Sequence, residues 1–275
     1  MDKANDYWKQ LNETKDWLKK KDIQPHLGVV LGTGMHALLD RVEIIQSIPY
    51  SDIPHFPLST VESHKGNLVY AKLGEKKLLV MQGRFHFYEG YAMQQIVFPV
   101  RVMKLLGIKH LLLTNAAGGM NLDYKKGDLV LIDDHLSMQS TNPLTGANIN
   151  ELGSRFPDMS QPYSPDINAI FLQKAKELNI PLRKGIYVSV NGPNLETRAE
   201  YRWLRNTGAD MVGMSTVPEV IAANHMGLPC AAISVITDEC DPDNLHPVSI
   251  EEIIAVAGKA DQKLAELLKL AILAL

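Results

Sequence analysis

Three polar side chains that could bind an anion and a ring alternate in the segment QGRFHFYEGY, residues 82–91. Arg84, His86 and Tyr88 occupy every second position, with a phenylalanine between each pair. In an extended strand this spacing puts the guanidinium, the imidazole and the phenol on one face. An arginine beside a histidine suits a phosphate or a carboxylate, and the tyrosine adds a flat hydrogen-bonding surface. The segment therefore predicts half of a site for an anion with a ring, although a strand with a solvated polar face shows the same alternation.

Small residues that could admit an anion follow two apolar runs, at the place where open α/β sheets bind ligands. The sequence GTG at 32–34 lets the backbone approach an anion, and Thr33 offers a hydroxyl and an amide. A dinucleotide-binding fingerprint needs a third glycine where this chain has Ala37, which disfavours a dinucleotide cofactor. The sequence NAAGG at 115–119 offers backbone amides to a ligand, or forms a tight strand-to-helix turn.

Two carboxylates also stand beside predicted elements. Glu196 directly precedes a helical stretch, and Asp238 follows the last strongly apolar run. Both could contact a ligand. The ordinary alternatives are that Glu196 caps the helix and that Asp238 lies in a solvated acidic loop. Ser215, beside another predicted helix start, could likewise be a simple N-cap. Asp238 and Asp241 do not predict a metal site, because no nearby histidine or glutamate completes a ligand set.

The pattern of apolar residues predicts the elements that must position these side chains. Continuous apolar runs suit strands covered on both faces, and they alternate with stretches of helical periodicity. The predicted strands are 27–31, 67–73, 77–81, 110–114, 128–132, 186–190 and 230–236, and the predicted helices are 91–107, 164–180, 197–208 and 249–270. This alternation predicts an α/β fold, in which residues 1–275 form a single domain with a central mixed β-sheet flanked by helices. Residues 1–24 are expected to form an N-terminal surface helix, and residues 134–163 a long functional or subunit-bridging connection.

The composition limits which partners the protein could bind and indicates where in the cell it works. With 275 residues, 45% hydrophobic and 21% charged, the chain is typical of a soluble enzyme. A formal net charge of −3 gives no basic field for a nucleic acid, and the C-terminal apolar stretch is too short to cross a membrane. The polar N-terminus predicts no signal peptide and hence a cytoplasmic protein. Cys230 and Cys240 lack a metal-ligand spacing and are expected to be inert.

Together the motifs resemble those of the trimeric purine nucleoside phosphorylases, from about residue 25 to the end of the chain. The matching motifs are GTG, VESHKG, QGRFHFYEGY, TNAAGG, RFPDMS, GPNLET and VGMSTVPEV, in the family's order and approximate spacing. The resemblance implies a nucleoside phosphorylase-like fold and a homotrimer. It also implies that inorganic phosphate, as a co-substrate, cleaves a purine ribonucleoside or deoxyribonucleoside to the free base and a sugar 1-phosphate. No metal or other cofactor is implied.

The same resemblance assigns roles position by position. The implied phosphate-binding residues are Thr33, His64, Arg84, His86, Ala116 (through its backbone amide) and Ser215, with His64 as a gate. The implied purine- and ribose-binding residues are Tyr88, Tyr187, Leu195, Glu196, Val212, Met214 and Asp238. Among these, His86, Glu196 and Asp238 are expected to take part in catalysis, and Glu196 to select the base.

At three positions this sequence differs from the animal enzymes of the family. Those enzymes carry asparagine at the position of Asp238, and an ionised carboxylate would repel the N7 lone pair of a purine. We therefore predict that Asp238 is partly protonated and gives N7 a proton or a hydrogen bond. Leu195 and Leu152 replace phenylalanines, so ring stacking is lost. The histidine that contacts the sugar 5′-hydroxyl has no clear match, since His246 lies several residues too early.

Two alternatives remain open from the sequence. A 5′-methylthioadenosine phosphorylase also has aspartate at the base site, but Glu196 and the motif RFPDMS favour the 6-oxopurine branch. A protein of this fold could instead bind purine or phosphate without catalysis. The presence of both Arg84 and Glu196 disfavours that second alternative, because a binding protein would not need both a phosphate clamp and contacts to the leaving group.

Overall fold

A nine-stranded mixed sheet is the frame of the molecule in a computed structural model that describes residues 3–60 and 65–275. The strands are β1 (Leu27–Leu31), β2 (Glu43–Pro49), β3 (Asn67–Leu73), β4 (Lys76–Gln82), β5 (His110–Gly119), β6 (Leu129–Ser137), β7 (Leu182–Ser189), β8 (Met211–Gly213) and β9 (Cys230–Glu239). Their order in the sheet is β2-β3-β4-β1-β5-β8-β7-β6-β9, and β5 also pairs with β9. The strands from β5 to β9 therefore close into a ring, whereas β2 forms an edge.

The centre of the sheet is parallel, which brings four strand ends together. β1 pairs in parallel with both β4 and β5, and β5 pairs in parallel with β9. All five residues of β1 are buried, as expected for a strand covered on both faces. The carboxyl ends of β1, β4, β5 and β9 consequently meet at one edge of the sheet, where this class of fold binds ligands.

Helices cover both faces of the sheet. They are α1 (Lys3–Lys19), α2 (Met93–Leu106), α3 (Pro165–Glu177), α4 (Arg198–Asn206), α5 (Val217–His225) and α6 (Ile250–Ala274), with short 3₁₀ turns at Leu39–Arg41, Tyr50–Asp52 and Phe87–Glu89. Helices α1, α2 and α5 pack with one set of alternating strand residues, and α3 and α6 pack with the other set. The sheet is thus the middle layer between two separate apolar clusters.

Several helix ends follow directly from the local sequence. Ser164 is the N-cap of α3, and its hydroxyl accepts a hydrogen bond from the Ile167 amide, with Pro165 at the first helical position. Gly107, which follows the end of α2, has φ of 104°, a conformation in which glycine meets no steric penalty. Both signals, the serine and proline at a start and the glycine at an end, are visible in the sequence.

The predicted α/β fold, a single domain with a central mixed sheet flanked by helices, is confirmed. Each of the seven predicted strands corresponds to an observed strand, and the N-terminal helix is observed as α1, although one side of it is buried through Leu11, Thr14 and Leu18. Two strands were missed: β2 is mostly exposed, and β8 has only three residues. Among the described residues, none of the helices combines the length and the apolar character that a membrane crossing requires.

Two local predictions at the site were wrong. The segment QGRFHFYEGY is not a strand beyond Gln82, because Gly83 turns the chain with φ of 108° and residues Phe87–Glu89 form a 3₁₀ turn. The segment NAAGG is not a turn but the end of β5, whose glycines pair with β8 and β9. In both places the role of glycine depends on neighbours that are distant in sequence, so a local pattern does not determine it.

The close approach of Gly32, directly after β1, to the backbone of β5 leads to a first prediction, on stability. A Cβ atom on Gly32 would lie 2.8 Å from the Thr114 carbonyl oxygen and 2.9 Å from the Asn115 Cα atom, both backbone atoms that cannot yield easily. We expect Gly32→Ala to lower the free energy of unfolding by about 1–3 kcal/mol, measured by chemical denaturation. Gly258→Ala is the matched control, because a Cβ atom there meets nothing within 4 Å. In the middle of α6 this control should stabilise the protein by about 0.5–1 kcal/mol. A Gly32→Ala variant as stable as the wild type would contradict the prediction.

Candidate active site

A cavity of about 360 Å³ lies where the carboxyl ends of the central strands meet. Among the residues that line it are most of those predicted from the sequence, namely Thr33, Arg84, His86, Tyr88, Ala116, Leu195, Glu196, Val212, Met214, Ser215 and Asp238. They come from six separate segments of the chain. The fold therefore brings these predicted residues together around a single cavity.

Arg84 is held rigidly in the cavity wall. Its side chain is only 2% exposed, and its Nη1 donates a hydrogen bond of 2.5 Å to the Thr114 carbonyl oxygen. Its Nε lies 3.4 Å from Oε1 of Glu219, a buried carboxylate on α5. A guanidinium fixed in this way keeps its planar array of donors in one orientation, which suits a tetrahedral or planar oxyanion.

His86 and Tyr88 form a stacked pair beside the arginine. Their ring centroids are 4.7 Å apart with an interplanar angle of 14°. Nδ1 of His86 lies 2.9 Å from Oε1 of Glu89, and the same oxygen accepts the His86 backbone amide at 2.8 Å. A second Glu89 oxygen accepts the Thr60 amide and hydroxyl. Glu89 therefore fixes the orientation of the imidazole, a role that its place in the sequence does not indicate.

The protonation of this pair follows from its surroundings. Burial lowers the pKa of His86, and the hydrogen bond to Glu89 offsets only part of that effect. Although burial opposes it, hydrogen bonding to His86 and Thr60 lowers the pKa of Glu89 to about 2. At neutral pH His86 is thus a neutral imidazole with its hydrogen on Nδ1, and Nε2 carries the acceptor lone pair.

Ser215 stands at a strained turn before α5. Thr216 has φ of 68° and ψ of −52°, and the Val217 amide donates to the Ser215 carbonyl oxygen at 2.7 Å. This is a γ-turn, a rare and strained conformation for a β-branched residue. The Thr216 amide donates to Oε2 of Glu219 at 3.0 Å, and its hydroxyl accepts from Asn115 at 2.9 Å, so both bonds hold the turn. The N-cap of α5 is Thr216 rather than Ser215, which leaves Ser215 at the cavity beside the positive end of a helix.

Two carboxylates define another part of the cavity. Asp238 lies near the end of β9 and is 5% exposed, whereas Glu196 is partly buried just before α4. Burial raises the pKa of Glu196, and the nearby Asp238 carboxylate raises it further. Apolar side chains, including Leu195, Val212 and Met214, line the same cavity. Acidic groups beside apolar walls suit a flat, polar-edged ring.

Two predicted residues are not among those that line the cavity. Tyr187 is completely buried behind the wall, where its hydroxyl accepts a hydrogen bond from the Ser215 amide at 3.3 Å. It therefore supports the turn that carries Ser215, and its contact with a ligand stays a prediction. His64 lies outside the described residues. Leu152, which replaces one of the two phenylalanines of the animal enzymes, is 3% exposed and borders a different cavity near α1 and α2.

Three further lining residues, Asn115, Ala117 and Gly118, belong to the segment NAAGG that the sequence analysis singled out. The lining residues that were not predicted from the sequence are Pro193, Tyr201, Gly213, Thr237, Ile250 and Ile253. Some signals were available, since Tyr201 closes the segment NGPNLETRAEY and Thr237 directly precedes Asp238. The isoleucines at the start of α6 carry no such signal, because nothing in the sequence places α6 beside the cavity.

Two backbone amides of the loop after β1 are already engaged within the chain. The backbone amides of His36 and Ala37 both donate to one carboxylate oxygen of Asp261 on α6, at 2.6 and 2.7 Å. These amides, which a dinucleotide phosphate would need, already hold an internal carboxylate. In the part of the chain that the structure describes, no three His, Cys, Asp or Glu side chains are grouped to hold a metal ion.

Comparisons with known proteins agree with this geometry. A family model described as the phosphorylase superfamily matches residues 26–273. Purine nucleoside phosphorylase 1 of Bacillus subtilis is 48% identical over 245 residues, which is 89% of this chain and 90% of that protein. The chain is a member of the purine nucleoside phosphorylases. The Bos taurus purine nucleoside phosphorylase is 42% identical, with 97% of this chain and 96% of that protein covered.

Solved structures of the family extend the likeness to three dimensions. A Schistosoma mansoni purine nucleoside phosphorylase in complex with adenosine gives a TM-score of 0.90 at 37% identity, and 96% of each chain is covered. A schistosoma enzyme in complex with hypoxanthine gives a TM-score of 0.89, also at 37% identity and with the same coverage. The family resemblance seen in the motifs is therefore confirmed in both sequence and fold.

Proposed function

We propose that this chain catalyses the phosphorolysis of purine nucleosides such as inosine and guanosine, to the free base and ribose 1-phosphate or its deoxy counterpart. The observation that carries the proposal is the joint presence, in one cavity of about 360 Å³, of a rigid oxyanion pocket and a pair of carboxylates. Family membership supports the same activity. Inorganic phosphate is the co-substrate, and we propose no cofactor.

In this proposal the oxyanion pocket holds phosphate as the nucleophile. Arg84 and Ser215 donate hydrogen bonds to phosphate oxygens, together with Thr33 and the Ala116 amide. Neutral His86 accepts the hydrogen of HPO₄²⁻ at Nε2, which orients the remaining charged oxygens toward the sugar. Tyr88 and Met214 pack against the ribose. As the glycosidic bond breaks, the sugar becomes positively charged, and the phosphate charge beneath it stabilises that transition state.

The carboxylate pair acts on the leaving base. The electron pair of the C1′–N9 bond moves into the purine, and a phosphate oxygen forms the new bond to C1′. Glu196 accepts the N1 hydrogen of a 6-oxopurine, and Asp238 supplies a proton or a hydrogen bond to N7. Protonation of N7 neutralises the charge that develops on the leaving purine.

The proposal is tested by base release with and without phosphate, from inosine, guanosine, adenosine and 5′-methylthioadenosine. We expect hypoxanthine and guanine to be released rapidly and only when phosphate is present. A preference for 5′-methylthioadenosine would instead make the chain a methylthioadenosine phosphorylase. No release from any of the four would indicate a protein that binds purine or phosphate without catalysis.

Base selection by Glu196 gives a second prediction. We expect Glu196→Gln to lower kcat/KM for inosine about ten- to a hundredfold, because a hydrogen bond to a buried charge is lost. Adenosine, which has no N1 hydrogen to donate, should be much less affected. Steady-state kinetics on both substrates measure the difference. Glu200→Gln is the control, since Glu200 lies in the first turn of α4, four residues after Glu196, is exposed, and keeps its cap geometry as glutamine. Equal losses with both substrates would contradict this role.

We further propose that the protein is a cytoplasmic homotrimer. The support is the resemblance of the motifs to those of the trimeric family members. Light scattering should give three times the 30.6 kDa of one chain. The monomer mass would contradict the assembly without affecting the proposed reaction.

A further inference from the structure

A second cavity, of about 660 Å³, lies between α1, the start of α2 and the connection from β6 to α3. None of the described residues that line it also lines the candidate active site. Its volume is within the range of roughly 300–1,000 Å³ that is usual for sites of small organic molecules. The proposed reaction makes no use of this cavity, so the residues that line it need a separate explanation.

Arg101 on α2 lines this cavity and is only 4% exposed. Its Nη2 lies 3.4 Å from the Pro143 carbonyl oxygen, which is a long hydrogen bond, and its guanidinium carbon lies 5.2 Å from the centroid of the Tyr7 ring. Its Nε is buried and has no hydrogen-bond partner among residues 3–60 and 65–275. A guanidinium has five N–H donors, so this one has capacity for a further acceptor.

The charge of Arg101 has no counter-ion in the part of the chain that the structure describes. The other buried arginine, Arg84, pairs with Glu219, whereas no carboxylate of the described residues forms an ion pair with Arg101. A buried charge is unfavourable unless an opposite charge compensates it. The Tyr7 ring attracts a cation only through its quadrupole, and water in a cavity satisfies donors without supplying a charge. An anion in the cavity would supply that charge.

The other ionisable groups that line the cavity do not compensate this charge. His225, at the end of α5, is 6% exposed, and burial lowers its pKa. The charge of Arg101 lowers the pKa of His225 further, so the two side chains lie within electrostatic reach of each other. Lys3 and Asp6 are both exposed and of opposite sign, so together they add no net charge.

The walls of the cavity are held by hydrogen bonds between distant segments. The Tyr7 hydroxyl donates to the Gln94 carbonyl oxygen at 2.7 Å, which ties α1 to α2. The Gln94 side-chain amide donates to the Thr145 carbonyl oxygen at 2.9 Å. Arg155 donates to the neighbouring Leu144 carbonyl oxygen at 2.7 Å. Because these bonds join α1, α2 and the connection before α3, the cavity is formed in advance, and a ligand would lose less conformational entropy on binding there.

We propose that this cavity binds a small oxyanion, a phosphate or a carboxylate, which Arg101 recognises. Both groups present two oxygens that match the guanidinium fork, and both carry the missing negative charge. The apolar side chains of Leu144, Ile149 and Leu152 also line the cavity and suit an organic part of the ligand. The cavity lies apart from the candidate active site, so this inference does not depend on the proposed reaction.

The test counts the inorganic phosphate bound per chain by equilibrium dialysis. The wild type should bind two phosphates, one in each cavity, and Arg101→Met should weaken one of them about ten- to a hundredfold. This variant should fold, because it removes a buried charge that lacks a partner. Arg84→Met should weaken the other phosphate and leave this one. Arg183→Met, which changes a partly exposed arginine paired with Asp128, is the control and should bind two.

Acetate distinguishes the two kinds of oxyanion. A carboxylate site would bind one phosphate per chain in total, and acetate would raise the melting temperature of the wild type but not that of Arg101→Met. One phosphate per chain without this effect of acetate would overturn the inference, because Arg101 would then have another counter-ion, such as a carboxylate of a second copy. A phosphate lost in Arg101→Met while Arg84→Met loses none would support this site and contradict the proposed phosphate pocket.

A second variant adds the missing negative charge within the chain. Gln10 lines the cavity three residues after Tyr7, on the same face of α1. Gln10→Glu introduces a carboxylate into the cavity that holds Arg101, so it should raise the melting temperature without added anions and weaken the oxyanion about tenfold. Gln46→Glu, at a partly buried position of the edge strand β2, is the control and should do neither. Unchanged oxyanion binding in Gln10→Glu would overturn the inference.

Discussion

Arg84→Met is expected to lower kcat/KM for phosphorolysis by about two to three orders of magnitude. The guanidinium is fixed by the Thr114 carbonyl oxygen and by Glu219, so in the proposed reaction it would meet the phosphate without reorganisation. Removing one preorganised donor to a reacting oxyanion typically costs about 10²–10³ in rate. The loss should appear as a raised KM for phosphate together with a lowered kcat, measured by varying phosphate at saturating inosine.

A binding measurement separates this role from a general loss of structure. Phosphate should raise the melting temperature of the wild type, because it binds the folded state, and should raise that of Arg84→Met much less. Arg183→Met is the matched control, since Arg183 pairs with Asp128 at 3.6 Å on the half-exposed start of β7. Its kinetics and its response to phosphate should equal those of the wild type. An Arg84→Met variant that phosphate still stabilises fully would place the nucleophile elsewhere.

The elements that could be predicted from the sequence are those whose residues are uniformly apolar or carry clear end signals. Strands such as β1 and β4 are largely buried on both faces, and a short continuous apolar run between turn residues is typical of such strands. The edge strand β2 was missed because its residues are mixed and mostly exposed. The three residues of β8 are too few for any periodicity, and only their pairing with β5 and β7 makes them a strand.

The sequence was sufficient to predict which residues line the site, but not the backbone conformation that places them there. Arg84, His86 and Tyr88 do line one cavity, yet a turn after Gly83 places them there, not the alternation of a strand. The motif resemblance carried their assignment, whereas the strand argument reached it for the wrong reason. Short motifs indicate which residues share a site, but they do not determine the path of the backbone between those residues.

The supporting partners could not be predicted, because each lies far away in sequence or has an ordinary identity. Glu219 is 135 positions from Arg84, and a glutamate in the first turn of a helix usually interacts with the helix dipole. Cys240 was expected to be inert, and its contact with Asp238 depends on the space left by Gly118. Such contacts follow from tertiary packing, which no single segment encodes.

Glu219→Gln is expected to lower the free energy of unfolding by about 3–5 kcal/mol. Glu219 and Arg84 are 4% and 2% exposed, and breaking a buried ion pair leaves an uncompensated charge in the interior. The glutamine can still accept the Thr216 amide, so the strained turn before α5 keeps its hydrogen bond and the change isolates the charge. Equilibrium denaturation in urea measures the difference. Glu177→Gln, which removes an exposed partner of Lys174, should change the stability by less than about 1 kcal/mol.

The double variant Arg84→Met/Glu219→Gln tests whether the buried ion pair serves to orient the phosphate site or to stabilise the fold. Replacing both charges removes the stranded guanidinium, so the double variant should recover most of the stability that Glu219→Gln loses. It should nevertheless remain as inactive as Arg84→Met, because phosphate still lacks its main donor. Recovered stability without recovered activity would mean that Glu219 and Arg84 are kept together for the orientation of the phosphate site and not for folding. A double variant as unstable as Glu219→Gln would instead show that this region depends on the ion pair itself.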